Sequence, residues 1–367
     1  MSRAHMITNK KQAFGLYIHW PYCLSKCPYC DFASHVIQKI DEDQLLKTYI
    51  RDILFFKENF SNLPQITSIF FGGGTPSLMT SKMFDALMNQ IHKNFSISEK
   101  AEISLEANPD AINLEKMKDF KQTGLNRLSI GVQALNDKDL KFLGRRHSLN
   151  TALTQINTAK TIFKRINIDL IYARPKQRLK EWENELLFAL SLGLSHYSLY
   201  QLTIEENTPF YKKNIPQISQ TQARRLYKLT EEIMTQHKIL PYEISNYAKK
   251  GEECQHNLLY WHGQNYLGIG PAAHGRFNLT ATENEKNVLK WLSNKPTLTP
   301  LTPEEKKDEK LLMGLRLVQE GYPLKELNPI SVKKAIQKGW ATCDKRYLHT
   351  TLNGRLVLNQ LILLLSQ

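Results

Sequence analysis

Short β-branched and aromatic runs alternate along this chain with longer stretches whose apolar residues recur every three or four positions. The runs at 15–20, 66–71, 101–106, 127–132, 166–171 and 197–202 read as strands. The stretches at 41–60, 80–94, 112–123, 137–163 (interrupted at Gly144), 179–192 and 219–238 read as amphipathic helices. Six strand–helix units in succession predict an α/β fold with a parallel sheet and outer helices, wound as a partial TIM-like (β/α)6 barrel. In such barrels the working residues stand at the C-terminal ends of the strands and in the loops that follow.

After residue 240 the pattern changes. Tyr242 to Tyr247 reads as one more extended piece, followed by His256-Asn-Leu-Leu-Tyr260-Trp261 and a glycine-rich loop at 268–275. A Pro/Thr-rich stretch at 295–303 reads as a linker. Residues 304–367 read as helices plus a terminal Arg355-Leu-Val-Leu segment, a small, mainly helical domain of winged-helix type. The expected organisation is a core at 1–240, an extension at 241–303 and a C-terminal domain at 304–367. The basic N-terminal stretch precedes no apolar signal core, and no run approaches the ~18 apolar residues of a membrane span.

The strand ends carry the chemistry. Directly after the first strand stand Cys23, Cys27 and Cys30, and three thiolates on one short loop can hold three irons of a cubane cluster and leave the fourth open. Zinc usually wants a fourth ligand; Cys254, two residues before His256, keeps a Cys/His zinc site open. Five cysteines in 367 residues are too sparse for a disulfide framework. The second strand ends in Gly72-Gly-Gly-Thr75-Pro76, which serves equally as a tight turn or a ligand loop and lacks the Lys-Ser/Thr of a phosphate loop. Glu106 and Asp169 end two further strands and could accept from an ammonium or a ribose diol. Gln133 ends another. Arg145 could pair with a carboxylate. For each, a structural ion pair or turn is the plainer alternative.

The net charge of +14 invites a nucleic-acid reading, but the lysines are scattered or mixed with acids, as in Glu304-Glu-Lys-Lys-Asp-Glu-Lys310. Anionic lipid headgroups or propionates are equally compatible partners.

The run Tyr17-Ile-His-Trp-Pro-Tyr-Cys23 through Cys27-Pro-Tyr-Cys30-Asp-Phe32 resembles the radical S-adenosylmethionine superfamily. It is most similar to the group containing oxygen-independent coproporphyrinogen III oxidase and its heme-chaperone relatives. Gly72 to Pro76, Ser104 to Pro109, Ser129 to Gln133, Asp169-Leu-Ile-Tyr172, the 268–275 loop and Leu312 to Leu317 extend the likeness over nearly the whole chain. The resemblance implies a [4Fe–4S] cluster on Cys23, Cys27 and Cys30. It implies S-adenosylmethionine on the open iron, cleaved by one electron to methionine and a 5′-deoxyadenosyl radical. The residues matching the family's cosubstrate pocket are Tyr17, Tyr29, Gly73, Gly74, Thr75, Glu106, Gln133, Arg145 and Asp169.

Two departures favour the chaperone branch over the oxidase. Phe32 stands where the oxidase has a further cysteine, and the chaperone's His-Asn-x-x-Tyr-Trp segment is intact at 256–261. That branch implies heme as ligand, heme-requiring respiratory proteins as acceptors, an electron donor to the cluster and no oxidase activity. A cytoplasmic site follows, with homodimerisation and contact with the inner membrane face left open and no nucleic-acid partner. His256 becomes an axial ligand, with Tyr260 and Trp261 stacking on the porphyrin and Tyr242, His262 and His274 as secondary contributors. Residue chemistry alone gives a core histidine among packed aromatics. Trp20 and Ala173-Arg174, where relatives often have Gly-Leu, are local departures.

Overall fold

The six strands read from the alternation pair in parallel and in chain order: β1 (Phe14–Trp20), β2 (Ile66–Gly73), β3 (Ile97–Ala107), β4 (Arg127–Gln133), β5 (Arg165–Tyr172) and β6 (His196–Gln201). The structure, a computed structural model, describes residues 13–36 and 39–366, so the basic stretch at 1–11 lies outside the described residues. The connecting helices are α1 (Glu42–Asn59), α2 (Ser81–Asn94), α3 (Leu114–Gln122), α4 (Asp137–Phe142), α5 (Leu149–Ile162) and α6 (Leu179–Ser191), with α7 (Gln220–Gln236) after β6. Side chains of Asp41, Thr80, Asn113, Asn136, Ser148 and Ser219 cap their N-termini by accepting backbone N–H bonds. The break at Gly144 is real. Its φ of +68° ends the α4 segment in the left-handed region.

Alternation along the strands sorts side chains to two sides. Ile69, Phe71, Leu105, Leu128, Ile130, Ile168 and Leu170 join Phe84, Phe120 and Trp182 in one continuous apolar core. The other face is buried and polar, holding Glu102, Arg127, Ser129, Asn167, His196 and Ser198.

A seventh parallel strand, β7 (Asn265–Ile269), lies on the free edge of β1. The sequence reading placed a glycine loop over its end. Gly268 is required in the strand because a Cβ there would stand 2.1 Å from the His274 carbonyl oxygen. The sheet continues antiparallel through β8 (His274–Phe277), β9 (Thr280–Glu283) and β10 (Thr297–Pro300), and beyond β6 through Asn246–Ala248 and Leu240–Pro241. The expected linker at 295–303 is therefore an edge strand, where Pro300 costs no ladder bond, and a helix (Pro303–Gly314) starts at its end.

The C-terminal part has its own apolar cluster, including Leu311, Leu315, Tyr322, Ala335, Leu348 and Leu361. Its helices carry a three-stranded sheet of Tyr322–Pro323, Tyr347–Thr350 and Ala341–Cys343, which the helical pattern did not reveal. Arg355-Leu-Val-Leu is the junction between helices Leu352–Arg355 and Leu358–Leu365. Among the described residues no helix is long and apolar enough to cross a membrane.

Candidate functional site

The loop after β1 is fixed before any ligand is considered. The Ala33 carbonyl can only accept, so His19 donates to it from Nε2 at 2.8 Å. Its Nδ1 is left to accept from the Tyr17 hydroxyl at 3.0 Å. Burial holds the His19 imidazole below its ordinary range, consistent with that neutral tautomer. Lys26 Nζ donates to the carbonyls of Phe32 (2.9 Å) and Ser34 (3.4 Å). Cys30 N–H donates to the Cys27 carbonyl at 3.0 Å and turns the chain between the last two cysteines.

All three thiols are free, half-buried and on the wall of one open cavity of about 330 Å3 at the C-terminal rim of the strands. Burial pushes the Cys30 thiol up, and Cys27 and Cys23 stand near enough to add to it. Thr75 Oγ1 donates to Cys23 Sγ at 3.3 Å, and Arg145 donates to Cys27 Sγ at 3.3 Å. Arg145 also binds the Gly131 carbonyl at 3.0 Å and the Asn108 side chain, while its buried Nε has no partner. Among the described residues its partners are a thiol and neutral oxygens, so no protein carboxylate there takes up its charge.

Gly73 and Gly74 line the same cavity, and both are glycine for packing reasons. A Cβ on Gly73, at φ +105°, would meet the His19 ring at 2.6 Å; one on Gly74 would meet the Tyr22 carbonyl oxygen at 2.6 Å. Gln133 ends β4 at φ +71° beside a register shift between Gly131 and Gln133, and lines the wall. A non-glycine residue held left-handed at a strand end is strain of about 1 kcal/mol, the kind that collects at functional sites. Burial, then the Asp169 charge, raises the Glu106 carboxyl to about 8. Burial also raises Asp169, against hydrogen bonds that include Asn167 Nδ2 at 2.7 Å.

A model of the Radical SAM superfamily matches residues 17–189. The chain is 36% identical over 375 residues to the heme chaperone HemW of Buchnera aphidicola subsp. Schizaphis graminum (strain Sg), covering 96% of this chain and 98% of that protein. It is 34% identical over 367 residues to the heme chaperone HemW of Bacillus subtilis (strain 168), covering 94% and 97%. The chain belongs to the radical SAM superfamily. Coproporphyrinogen III oxidase (HemN) from Escherichia coli superposes with a TM-score of 0.82 over 96% of this chain and 90% of its own, at 21% identity, which establishes a shared fold.

The radical SAM family implies an iron–sulfur cluster and S-adenosylmethionine, and the residues present fit both. Among the described residues no three His, Cys, Asp or Glu side chains converge on a point suited to a single metal ion. Three thiols on one loop, all lining one cavity, suit a cluster with three irons to bind. The hydroxyl of Thr75 and the guanidinium of Arg145 already supply bonds to two of the sulfurs. Of the residues expected for the cosubstrate, Tyr29, Gly73, Gly74, Thr75, Glu106 and Gln133 line the cavity, as do Arg145 and Asp169. Tyr17 does not. It stands beside Gly72, whose Cβ would meet its ring at 3.0 Å and Glu106 at 3.2 Å, and its hydroxyl bonds His19 Nδ1. Asn108 was passed over as a site residue, yet it bonds Thr75 Oγ1 at 3.0 Å and holds Arg145. Its place two residues after Glu106 at a strand end was the available signal.

The expected heme residues lie elsewhere. His256, Tyr260 and Trp261 belong to α8 (Gln255–Trp261), which closes the other end of the barrel against the beginnings of β1 and β2. A Cβ on Gly15 would meet Leu259 at 2.9 Å and His256 at 3.2 Å, so that glycine admits the helix. His256 is 1% exposed, with Nδ1 on Ser68 Oγ at 2.9 Å and Nε2 on the Tyr260 hydroxyl at 2.8 Å. Burial pushes the imidazole down to about 3. Neither nitrogen is free to take an iron in this conformation, because hydroxyls already occupy both. Cys254 donates to Glu102 at 3.3 Å, so the Cys254/His256 zinc alternative is not formed either. Glu102 also accepts the N–H groups of Gln255 (3.1 Å) and His256 (3.2 Å) and pairs with Arg165 at 2.6 Å. Burial opposes its charge, but Arg127 and Arg165 prevail and hold it below the usual carboxylate range. Trp261 lies 5.8 Å under the Arg316 guanidinium. His262 pairs with Glu320 at 2.8 Å, Tyr242 is buried, and His274 is exposed.

Proposed function

We propose that this chain carries a [4Fe–4S] cluster on Cys23, Cys27 and Cys30, binds S-adenosylmethionine in the adjoining cavity, and takes up heme for delivery to heme-requiring respiratory proteins. The observation that carries the reading is likeness at 34–36% identity over nearly the full length to proteins named heme chaperones. The cluster, when bound, supplies an open iron and one electron toward a chelated sulfonium. The chain's own residues bind and orient. Glu106 and Asp169 accept from an ammonium or a ribose diol, the backbone at Gly73 and Gly74 allows close approach, and Arg145 holds Cys27.

Heme suits the rim of the cysteine loop. Phe32 is 59% exposed there and Val36 58%, with Leu24 exposed beside them and Lys26 on the cavity wall. An apolar ledge with cations nearby matches a porphyrin and its propionates. The net charge of +14 favours such a dianion in the same way. The radical decarboxylation of coproporphyrinogen III is the alternative, and Phe32 in place of the oxidase's cysteine speaks against it. A separate electron donor, a cytoplasmic location near the membrane and no nucleic-acid partner complete the proposal; dimer formation is open.

The test is anaerobic reconstitution followed by parallel incubation with hemin and with coproporphyrinogen III. Stoichiometric hemin uptake without protoporphyrinogen supports the chaperone. Protoporphyrinogen formation would make the chain an oxidase.

A further inference from the structure

A path of hydrogen bonds runs from α8 through the barrel interior to the floor of the cavity, and every donor along it points the same way. Asn257 Nδ2, on α8, donates to the Tyr242 hydroxyl at 3.2 Å. That hydroxyl meets His196 Nε2 at 3.0 Å, and His196 Nδ1 meets Asn167 Oδ1 at 2.7 Å. Asn167 Nδ2 donates to Asp169 Oδ1 at 2.7 Å. The directions are forced. An amide oxygen can only accept, so His196 carries its proton on Nδ1. Burial, with Arg127 and Arg165 behind it, keeps that imidazole neutral, so Nε2 accepts and Tyr242 donates.

We infer that α8, with Asn257 as its contact, is a positioning element for the cosubstrate site: the chain Asn257–Tyr242–His196–Asn167 orients and polarises the Asp169 carboxylate as the acceptor on the cavity floor. Bonds aligned in series strengthen one another. Asn167 Nδ2 also reaches Ser129 Oγ at 2.7 Å and Ser198 Oγ at 2.9 Å, and its bond to Asp169 Oδ1 is the branch that ends on the cavity floor. The other groups facing Asp169 are Glu106 on β3, Arg127 and Ser129 on β4, and Ser198 and Tyr200 on β6; Ser198 hydrogen-bonds to it, and Ser129 Oγ donates to it at 3.3 Å. The Asp169 charge is what disfavours that of Glu106, so a fixed donor chain on Asp169 favours ionisation there and a proton on Glu106. The segment 256–261 then serves the far end of the barrel without touching it. This rests on the reading that the cavity takes S-adenosylmethionine.

Two measurements on the cluster-loaded chain test it: the titration midpoint of Asp169, from isotope-edited infrared spectra assigned with Asp169→Asn, and the affinity for S-adenosylmethionine. Tyr242→Phe is expected to raise the midpoint by roughly one pH unit and weaken affinity about tenfold. His196→Phe should do the same. His196→Gln, which can donate and accept at the same two points, should restore both. A wild-type midpoint in Tyr242→Phe, or a His196→Gln as damaged as His196→Phe, would overturn the inference. Should the wild type bind no S-adenosylmethionine, the cofactor reading fails, and the infrared midpoint still decides the hydrogen-bonded chain on its own.

Discussion

Arg145 reaches Cys27 Sγ at 3.3 Å across 118 residues of chain, and the same guanidinium holds the Gly131 carbonyl and the Asn108 side chain. A planar fork serves three acceptors at once, which a lysine ammonium on a flexible stem does not. Arg145→Lys should therefore keep the fold and lose cluster affinity about tenfold, the effect of removing a partner behind a ligand. Iron and sulfide content after anaerobic gel filtration measures it. Full retention of both would show the arginine to be dispensable.

The Glu106 carboxyl, raised from 4.5 to about 8, binds a proton in the folded chain that the unfolded chain releases near its ordinary value. Between those values the native state holds more protons, so stability must fall as pH rises from about 4.5 to about 8. Glu106→Gln should remove that slope and stabilise the protein at pH 8 by on the order of a few kcal/mol. Denaturant unfolding of wild type and variant at pH 5.5 and 8 is the comparison. Parallel pH dependence in the two would contradict it.

Much of this was legible in advance, and the exceptions have physical causes. The six strands and their helices follow from periodicity because one face of each packs on the other. The cysteine spacing and the strand-end residues Gly73, Glu106, Gln133 and Asp169 reached one cavity because a parallel barrel brings all its C-terminal ends together. β7 escaped notice because Gly268 serves close backbone approach rather than a turn. Tyr17 is expected at the cosubstrate from the resemblance alone; it stands on the interior side of β1 near Glu106, outside the cavity wall itself. For His256, residue chemistry alone points to a core histidine, and the structure places it so, on the Ser68 and Tyr260 hydroxyls; the axial role rests on the resemblance alone.

His256→Ala follows from that geometry. It leaves two buried hydroxyls without their partner and a void beside Gly15, so stability should drop by about 2–4 kcal/mol. Hemin affinity and the Soret spectrum should stay unchanged in the fraction that remains folded. A variant with wild-type stability but no hemin binding would return the axial role to His256.

Ala173 sits at φ +59°, a left-handed position that glycine adopts without steric cost. Ala173→Gly should stabilise the chain by roughly 0.5–1 kcal/mol in urea unfolding. The next residue behaves oppositely. Arg174 is buried against Glu185 and, at 3.1 Å, Asp139, so Arg174→Leu should cost about 3–5 kcal/mol by stranding a buried carboxylate. A neutral outcome would contradict it.

The central claim is that Cys23, Cys27 and Cys30 hold a four-iron cluster whose remaining iron accepts a chelating ligand. Mössbauer spectroscopy on protein prepared without air, before and after adding S-adenosylmethionine, tests it most directly. The predicted result is four irons per chain with one resolved site whose isomer shift moves on addition. Bound zinc in place of iron, or a spectrum indifferent to S-adenosylmethionine, would contradict it.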